Sequence, residues 1–247
     1  MKCLILAAGY ATRLYPLTKN FPKPLLKVGG KTILDWLIDD VDGAGAVDKY
    51  IVITNHLFYG HFNDWAKTKT QDIAVLDDGT VSNETRLGAV RDIQFAIDEL
   101  GIDDDLLVIA GDNLLDFSLA SFISYQKGKN STCIMRYFEP DENKLHKTGV
   151  VEADENDRVV SMEEKPALPK SNWCAPPFYI YKAVDVPLVK KGIENGCGVD
   201  APGSFIAWLG TVTDIHAYKM PGKRYDIGDI ESYEQVKANY RGIAEGA

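Results

Sequence analysis

The sequence predicts an α/β fold in which a mostly parallel β-sheet is flanked by helices. Short, continuously apolar stretches recur through the first half of the chain, as is typical of central strands that are buried on both faces. Stretches with helical periodicity separate these strands, and strands that alternate with helices form βαβ units. With 247 residues, of which 45% are hydrophobic, the chain is long enough to bury a substantial core.

In the first half we predict strands at 2–8, 49–54, 72–76 and 105–110, and helices at 32–41, 58–66 and 87–100. The helix at 32–41, for example, places five apolar residues on one face: Ile33, Leu34, Leu37, Ile38 and Val41. The strand at 105–110 ends in a Gly-Asp-Asn turn. Since ligands of parallel sheets bind at the carboxyl ends of strands, we expect functional residues in this turn and in the segment 9–13 after the first strand.

The second half is predicted to be rich in β-structure. Short β-prone pieces joined by polar turns lie at 131–138, 148–154, 157–166 and 177–182, and helices are predicted at 185–196, 203–210 and 230–240. No internal repeat or long linker divides the chain. We therefore predict a single domain over 1–247, with one half at about 1–130 and a second, β-rich half at about 131–247.

The composition excludes several classes of function. The formal net charge of −9 argues against binding of nucleic acid or of an anionic membrane, because both require a basic face. No apolar stretch approaches the length that spans a bilayer. The four cysteines are far apart and form no C-x-x-C pair, which indicates reduced thiols in a cytoplasmic protein.

The segment "GYATR" at 9–13 and the sequence "FPKP" that follows it concentrate phosphate-binding chemistry. Small side chains at Gly9, Ala11 and Thr12 let backbone N–H groups approach an anion. Arg13 adds a multi-donor cation, and Lys23 adds a point charge on backbone stiffened by two prolines. A polyphosphate cradle and a plain βα turn with surface cations both fit this pattern. The G-x-G-x-x-G fingerprint is absent, and "GGKT" lacks the first glycine of a P-loop.

Five ordered blocks resemble the sugar-1-phosphate nucleotidyltransferases, the family of glucose-1-phosphate thymidylyl-, uridylyl- and cytidylyltransferases. They are "LAAGYATRLYPLTKNFPKPLLKVGGKTILDW", "AGDNLLDFSL", "GVVEADENDRVVSMEEKP", "DAPGSFIAWL" and "YDIGDIESY". The resemblance covers essentially the whole chain. It implies a Rossmann-like sheet with a β-rich extension that binds the acceptor, and it makes the first half the nucleotide-binding half.

The resemblance assigns residues to the triphosphate and the metal. It places Ala8, Gly9, Ala11, Thr12 and Arg13 around the triphosphate, with Arg13 on the leaving pyrophosphate. It gives Lys23 the α-phosphate, so that Arg13 and Lys23 are the catalytic residues. It also makes Asp112 and Asp226 the ligands of Mg²⁺, which favours a few carboxylates, waters and phosphate oxygens. The chain departs from the family at Ala11, where a second glycine is common.

The acceptor and the base are assigned in the same way. The resemblance places five residues at the acceptor: Asn113, Gly149, Glu164, Lys165 and Tyr179. We expect the stretch at 76–90 to read the base through Thr80, Ser82, Asn83 and the backbone near Gly88. The glutamine often found in thymidylyl enzymes is not evident there, and we favour CTP or UTP.

The resemblance implies an enzyme that joins a nucleoside triphosphate to a sugar-1-phosphate and releases pyrophosphate. Trp173 and the following pair of prolines indicate an altered acceptor pocket, so a cytidylyltransferase for a polyol phosphate, phosphocholine or a phosphonate is an alternative. A glycosyltransferase is disfavoured because Lys23 and Arg13 serve a pyrophosphate leaving group. A non-catalytic nucleotide-sugar sensor would be expected to lose Lys23 or a metal carboxylate. Homo-oligomers are frequent among relatives.

Overall fold

The computed structural model describes residues 1–243, which form fourteen strands and eight helices. The strands are β1 Lys2–Leu6, β2 Lys27–Val28, β3 Lys31–Thr32, β4 Lys49–Thr54, β5 Ile73–Asp77, β6 Leu106–Ala110, β7 Asn113–Leu115, β8 Thr132–Phe138, β9 Gly149–Ala153, β10 Val159–Glu164, β11 Trp173–Ala175, β12 Phe178–Tyr181, β13 Ile215–Lys219 and β14 Arg224–Asp226. The helices are α1 Ile33–Gly43, α2 Tyr59–Ala66, α3 Ala89–Leu100, α4 Ala120–Lys129, α5 Glu142–Leu145, α6 Leu188–Glu194, α7 Gly203–Leu209 and α8 Ile230–Asn239.

The chain forms two compact units, each built from several separate segments. The unit that we call the parallel unit contains Cys3–Arg86, Ala110–Ser121 and the chain from Pro221 onward. The other, which we call the antiparallel unit, contains Met1–Lys2, Leu87–Ile109 and Phe122–Met220.

In the parallel unit, β4 lies between β1 and β5 and pairs with β5 in parallel. Helix α1 precedes β4 and α2 connects β4 to β5, as predicted from the alternating pattern. Thr32 and Asp35 form a capping box at the start of α1, and the five apolar residues predicted for its inner face are all buried. The prediction of an α/β fold with a parallel sheet flanked by helices is confirmed.

A buried apolar cluster in the parallel unit fixes the segments that carry the predicted functional residues. Leu14 follows Arg13, Leu114 follows Asn113 and Ile227 follows Asp226, and all three belong to this cluster. The hydroxyl of Tyr240, just beyond α8, donates to the Leu115 carbonyl at 2.8 Å. Packing next to each polar residue therefore holds the polar side chains in place.

In the antiparallel unit the strand order is β10-β9-β11-β8-β12-β6. Every pair of neighbours in this order is antiparallel. Strand β13 pairs with β8 in parallel. This arrangement confirms the predicted β-rich extension. The sequence analysis did not find α4, α5, β13 or the short strands β2, β3, β7, β11 and β14.

All four cysteines are free, and three of them are buried. Within residues 1–243, no helix is long and apolar enough to cross a membrane.

Candidate active site

The loop that follows β1 is exposed at its tip and fixed at both ends. The Asn55 side chain donates to the Ala8 carbonyl at 3.0 Å, and the Thr18 hydroxyl donates to the Ala11 carbonyl at 2.8 Å. Gly9, which lies between these anchors, and Thr12, which directly follows the second one, are exposed, and a Cβ on Gly9 would meet nothing within 4 Å. The backbone of the loop is therefore held in place while its tip remains open to a ligand.

Ala11 has a left-handed backbone conformation, with φ 45° and ψ 44°. Glycine adopts this region freely, whereas a Cβ crowds the following carbonyl. The conformation explains why glycine is common at this position in the resembling family. In this chain alanine occupies it at a cost in backbone strain.

Lys23 lies in a short 3₁₀ turn, with Pro22 before it and Pro24 within it. Its side chain is only 8% exposed, and Nζ donates to Asp112 Oδ2 at 2.7 Å. The Lys23 ammonium carries two further N–H donors. Sequence analysis assigned the two residues separate roles and did not predict this ion pair, which joins positions 89 residues apart.

Asp112 is 42% exposed and is held from both sides. Asn113 Nδ2 donates to Asp112 Oδ1 at 3.0 Å, while Asn113 Oδ1 accepts from Arg224 at 2.8 Å. Burial opposes ionisation, but the charges of Lys23 and Arg224 outweigh it and hold the pKa of Asp112 below its ordinary value. The Asn113 amide is thus engaged in orienting Asp112, and sequence analysis missed Arg224 as its partner.

Strand pairing brings the second predicted metal ligand to the same place. Strands β7 and β14 are antiparallel, and Asp226 lies directly opposite Asn113. Asp226 is exposed. Within residues 1–243, no group of three or more His, Cys, Asp or Glu side chains could hold a metal. Two carboxylates fit Mg²⁺ when waters and phosphate oxygens complete the coordination.

A cavity of about 210 Å³ in the parallel unit is lined by residues of these segments, among them Gly9, Ala11, Arg13, Lys23 and Asp112. Arg13 is exposed, and its guanidinium lies beside Gly228, which also lines the cavity. Arg13 forms no ion pair with any residue among 1–243. The cavity therefore combines two cations, an open backbone loop and one carboxylate, which is the chemistry of a polyphosphate–metal site.

The residues predicted to read the base divide between the units. Thr80 is buried, its N–H and hydroxyl both lie 2.7 Å from Asp78 Oδ1, and its Oγ1 is 3.3 Å from the Tyr10 hydroxyl. Ser82 and Asn83 lie near it in the chain, in the same unit. Gly88 belongs to the antiparallel unit, where a Cβ would overlap the Val199 carbonyl.

Four of the predicted acceptor residues lie in the antiparallel unit. Glu164 is the cross-strand partner of Gly149, and the Lys165 N–H donates to the Thr148 carbonyl with Lys165 at φ 51°. Tyr179 is 2% exposed within β12. Burial, reinforced by the charge of Asp200, raises the pKa of Glu164 in spite of Lys165. The fifth residue, Asn113, lies in the parallel unit.

Trp173, which sequence analysis connected with an altered pocket, is in contact with two cations. The Arg136 guanidinium lies 4.9 Å from its ring centroid and Lys219 Nζ lies 5.7 Å away. Phe138 packs edge-on against it at 5.7 Å. The Trp173 ring therefore already makes two cation–π contacts within the unit.

Comparison with known proteins places the chain among nucleotidyl transferases. The nucleotidyl transferase family matches residues 2–242. Over 246 residues the chain is 26% identical to a glucose-1-phosphate adenylyltransferase of Fervidobacterium nodosum, covering 93% of this chain and 59% of that one. It is 25% identical to a UTP–glucose-1-phosphate uridylyltransferase of Synechocystis, covering 96% and 62%. The chain thus spans about three fifths of the length of these relatives.

Solved structures show the same fold. A UDP-glucose pyrophosphorylase complexed with UDP-glucose superposes with a TM-score of 0.80 at 21% identity, over 97% of both chains. A UTP-bound UGPase from Acinetobacter baumannii gives 0.77 at 20% identity, over 97% of this chain and 92% of that one. The family match over nearly the whole described chain confirms the resemblance found in the sequence, and the chain belongs to the nucleotidyl transferase family.

Proposed function

We propose that the protein is a magnesium-dependent nucleotidyltransferase that couples a nucleoside triphosphate to a sugar-1-phosphate and releases pyrophosphate. The observation that carries this proposal is the cavity lined by the 9–13 loop, Arg13, Lys23 and Asp112. In a protein of net charge −9, two cations beside an open backbone loop form a local site for a polyanion.

Each group in the cavity has a role in phosphoryl chemistry. The loop N–H groups would bind the triphosphate, and Arg13 would take the leaving pyrophosphate. Lys23 donates one of its three protons to Asp112 and has two for the α-phosphate, where charge develops as the acceptor attacks. Asp112 and Asp226 would hold Mg²⁺, which supplies neutralisation of the triphosphate charge.

The nucleophile needs no general base. A phosphate monoester has a second pKa of about 6 and is largely dianionic at neutral pH. One of its oxygens attacks the α-phosphorus, the bond from that phosphorus to the β-phosphate oxygen breaks, and pyrophosphate leaves. The protein therefore contributes positioning and charge, with Lys165 meeting the acceptor phosphate and Glu164 accepting hydrogen bonds from its hydroxyls.

We propose a pyrimidine triphosphate, CTP or UTP, as the nucleotide. Ser82 and Asn83 offer a hydroxyl and an amide that suit the mixed donor and acceptor edge of a pyrimidine, and the Thr80 hydroxyl, which donates to Asp78, can act as an acceptor. A solved relative is described as UTP-bound.

Trp173 favours a sugar over phosphocholine as the acceptor. A quaternary ammonium is recognised by free aromatic faces, and Arg136 and Lys219 already lie over the Trp173 ring. A polyol phosphate and a phosphonate remain alternatives within the same chemistry.

A substrate matrix tests the function. ATP, GTP, CTP, UTP and dTTP are each paired with glucose-1-phosphate, other hexose-1-phosphates, a polyol phosphate, a phosphonate and phosphocholine, and pyrophosphate release is measured with Mg²⁺. Release with a sugar-1-phosphate, and release that is slower by about 10²–10³ in a parallel preparation of the Lys23→Ala variant, support the proposal. Release only with a non-sugar acceptor would show that the proposed sugar-1-phosphate is not the acceptor, while the nucleotidyltransferase chemistry stands. Binding of nucleotide sugar without release from any pair would make the protein a sensor.

A further inference from the structure

Glu164 lies in a slot whose walls are two glycines. An ideal Cβ on Gly149, opposite it in β9, would lie 3.0 Å from Glu164 Oε2. An ideal Cβ on Gly203, the first residue of α7, would overlap the same oxygen. Helix α7 packs against β10, so both walls belong to regular structure within one unit. A Cβ at Gly203 does not fit while this carboxylate stays in place, and a Cβ at Gly149 would require the ends of Glu164 and Met162 to shift.

The Glu164 carboxylate has no hydrogen-bond partner among residues 1–243, although it is half-buried. A carboxylate without a protein partner keeps its acceptor sites available for water or for the hydroxyls of a ligand. The slot thus holds a hydrogen-bond acceptor in a fixed position without using its capacity. Packing alone does not explain why a charged group occupies it.

We infer that Gly203 is a positioning residue for the acceptor: by leaving the slot open, it fixes the Glu164 carboxylate where an acceptor hydroxyl donates to it. This inference rests on the proposed function. Gly149 forms the opposite wall, but it lies in the strand that pairs with β10. Gly203 is the position at which the slot can be filled with the least disturbance.

The backbone makes the substitution Gly203→Ala informative. Gly203 does not have a positive φ, so alanine is compatible with its conformation, and alanine is a better helix former than glycine. The atoms that a new Cβ would meet are the ends of two flexible side chains, Glu164 and Met162. The fold should therefore survive, while the carboxylate must leave its slot.

The matched control is Gly128→Ala. Gly128 lies in α4 of the same unit, and a Cβ there would meet nothing within 4 Å. We expect Gly203→Ala to raise the KM for glucose-1-phosphate, or for whichever acceptor the substrate matrix identifies, by about 10- to 100-fold, as expected for a lost hydrogen bond to a charged group. The KM for the triphosphate should not change, and the melting temperature should not fall. Gly128→Ala should change neither KM.

A double-mutant cycle separates positioning from a general structural effect. In an enzyme that already carries Glu164→Gln, Gly203→Ala should add much less than its own effect to the acceptor KM, because both changes act on one contact. Additive effects, or an unchanged acceptor KM in Gly203→Ala, would overturn the inference. If Gly203→Ala fails to fold, Gly203→Ala with Glu164→Ala should restore folding, and failure to do so would also overturn it.

Failure of the proposed function gives a different result. In that case the wild-type protein itself shows no pyrophosphate release with any phosphorylated acceptor. If the wild-type protein uses an acceptor and the Gly203→Ala variant has the same acceptor KM, this inference is overturned and the proposed function stands.

Discussion

Lys23 and Asp112 form an ion pair, and the proposed reaction uses the charges of both residues. The ammonium is almost fully buried, whereas the carboxylate keeps contact with solvent. Opposite charges at 2.7 Å fix each other, and the carboxylate is kept ionised by its cationic neighbours. The pair is therefore ready to meet a metal–triphosphate complex without rearrangement.

We predict that Lys23→Ala lowers kcat by about 10²–10³, because one donor to the α-phosphate is lost where charge develops. Loss of the ion pair should cost only about 1–2 kcal/mol of folding free energy, since Asp112 can be solvated. Steady-state kinetics and chemical denaturation measure the two effects. Lys19→Ala, at an exposed position in the same segment, is the control and should retain kcat. A Lys23→Ala enzyme with near-normal turnover would remove this lysine from the mechanism.

We predict that Ala11→Gly stabilises the protein by about 0–1.6 kcal/mol. Relief of the left-handed strain raises the free energy of unfolding by about 1–2 kcal/mol. The greater freedom of glycine in the unfolded chain lowers it by about 0.4–1 kcal/mol. Ala8→Gly, at a position without positive φ, should destabilise by the latter amount. Urea unfolding of both variants provides the comparison. Equal destabilisation by the two substitutions would show that the loop does not store this strain.

We predict that Glu164→Gln raises the melting temperature at pH 7. Burial is the main cause of the raised pKa of Glu164, so protonation of Glu164 stabilises the folded protein. This contribution to stability is fully present below the ordinary pKa and is lost as pH rises through the folded-state pKa. The benefit of glutamine should therefore disappear near pH 4. Glu163→Gln, an exposed neighbour, is the control for a general charge effect. A lower melting temperature for Glu164→Gln at pH 7 would contradict the prediction.

At the scale of elements, the fold could be predicted where a pattern was long. Strand β4 has the predicted bounds, and α1 buries the predicted face, because a continuous apolar run and helical spacing of apolar residues are local signals. Strands β7 and β14 have three residues each and carry polar site residues, so no periodicity marks them. Their pairing depends on contacts between distant parts of the chain.

For the candidate site, the sequence indicated residues but not the contacts between them. Motif order indicated Lys23, Asp112 and Asp226. It gave no sign that Lys23 binds Asp112 or that Arg224 holds Asn113, because these contacts exist only after the 3₁₀ turn at Lys23 and strand β14 are folded. The left-handed conformation of Ala11 was likewise hidden, since alanine is not a residue that predicts positive φ.

The β7–β14 pair leads to a prediction about Mg²⁺. Asp112→Asn and Asp226→Asn should each raise the Mg²⁺ concentration needed for half-maximal activity and weaken Mg²⁺-dependent triphosphate binding in calorimetry, since each removes one negative ligand. The double variant should be less impaired than the sum of the two, because both act at one site. Asp116→Asn keeps an acceptor for the Lys223 N–H and is the control. Additive losses would argue for independent roles.

At the scale of the whole molecule, the chain crosses between its two units five times. Strand β6 continues across one of these crossings, from Ile109 to Ala110. Neither unit is a continuous segment that could be cut out of the sequence. We therefore expect the units to unfold together, even though the proposed triphosphate site belongs to the parallel unit alone.

The last prediction is a single melting transition that Mg²⁺ with the preferred triphosphate moves as a whole. At a ligand concentration of about 100 times Kd, binding adds about 2.7 kcal/mol, which corresponds to roughly 5–10 °C for a chain of this size. Leu37→Ala in the parallel unit and Ile206→Ala in the antiparallel unit each remove a buried side chain and should lower the same transition. Differential scanning calorimetry of both variants, with and without ligand, checks this. Two transitions, of which only one responds to the triphosphate, would show that the units unfold independently and that the continuity of β6 does not couple them.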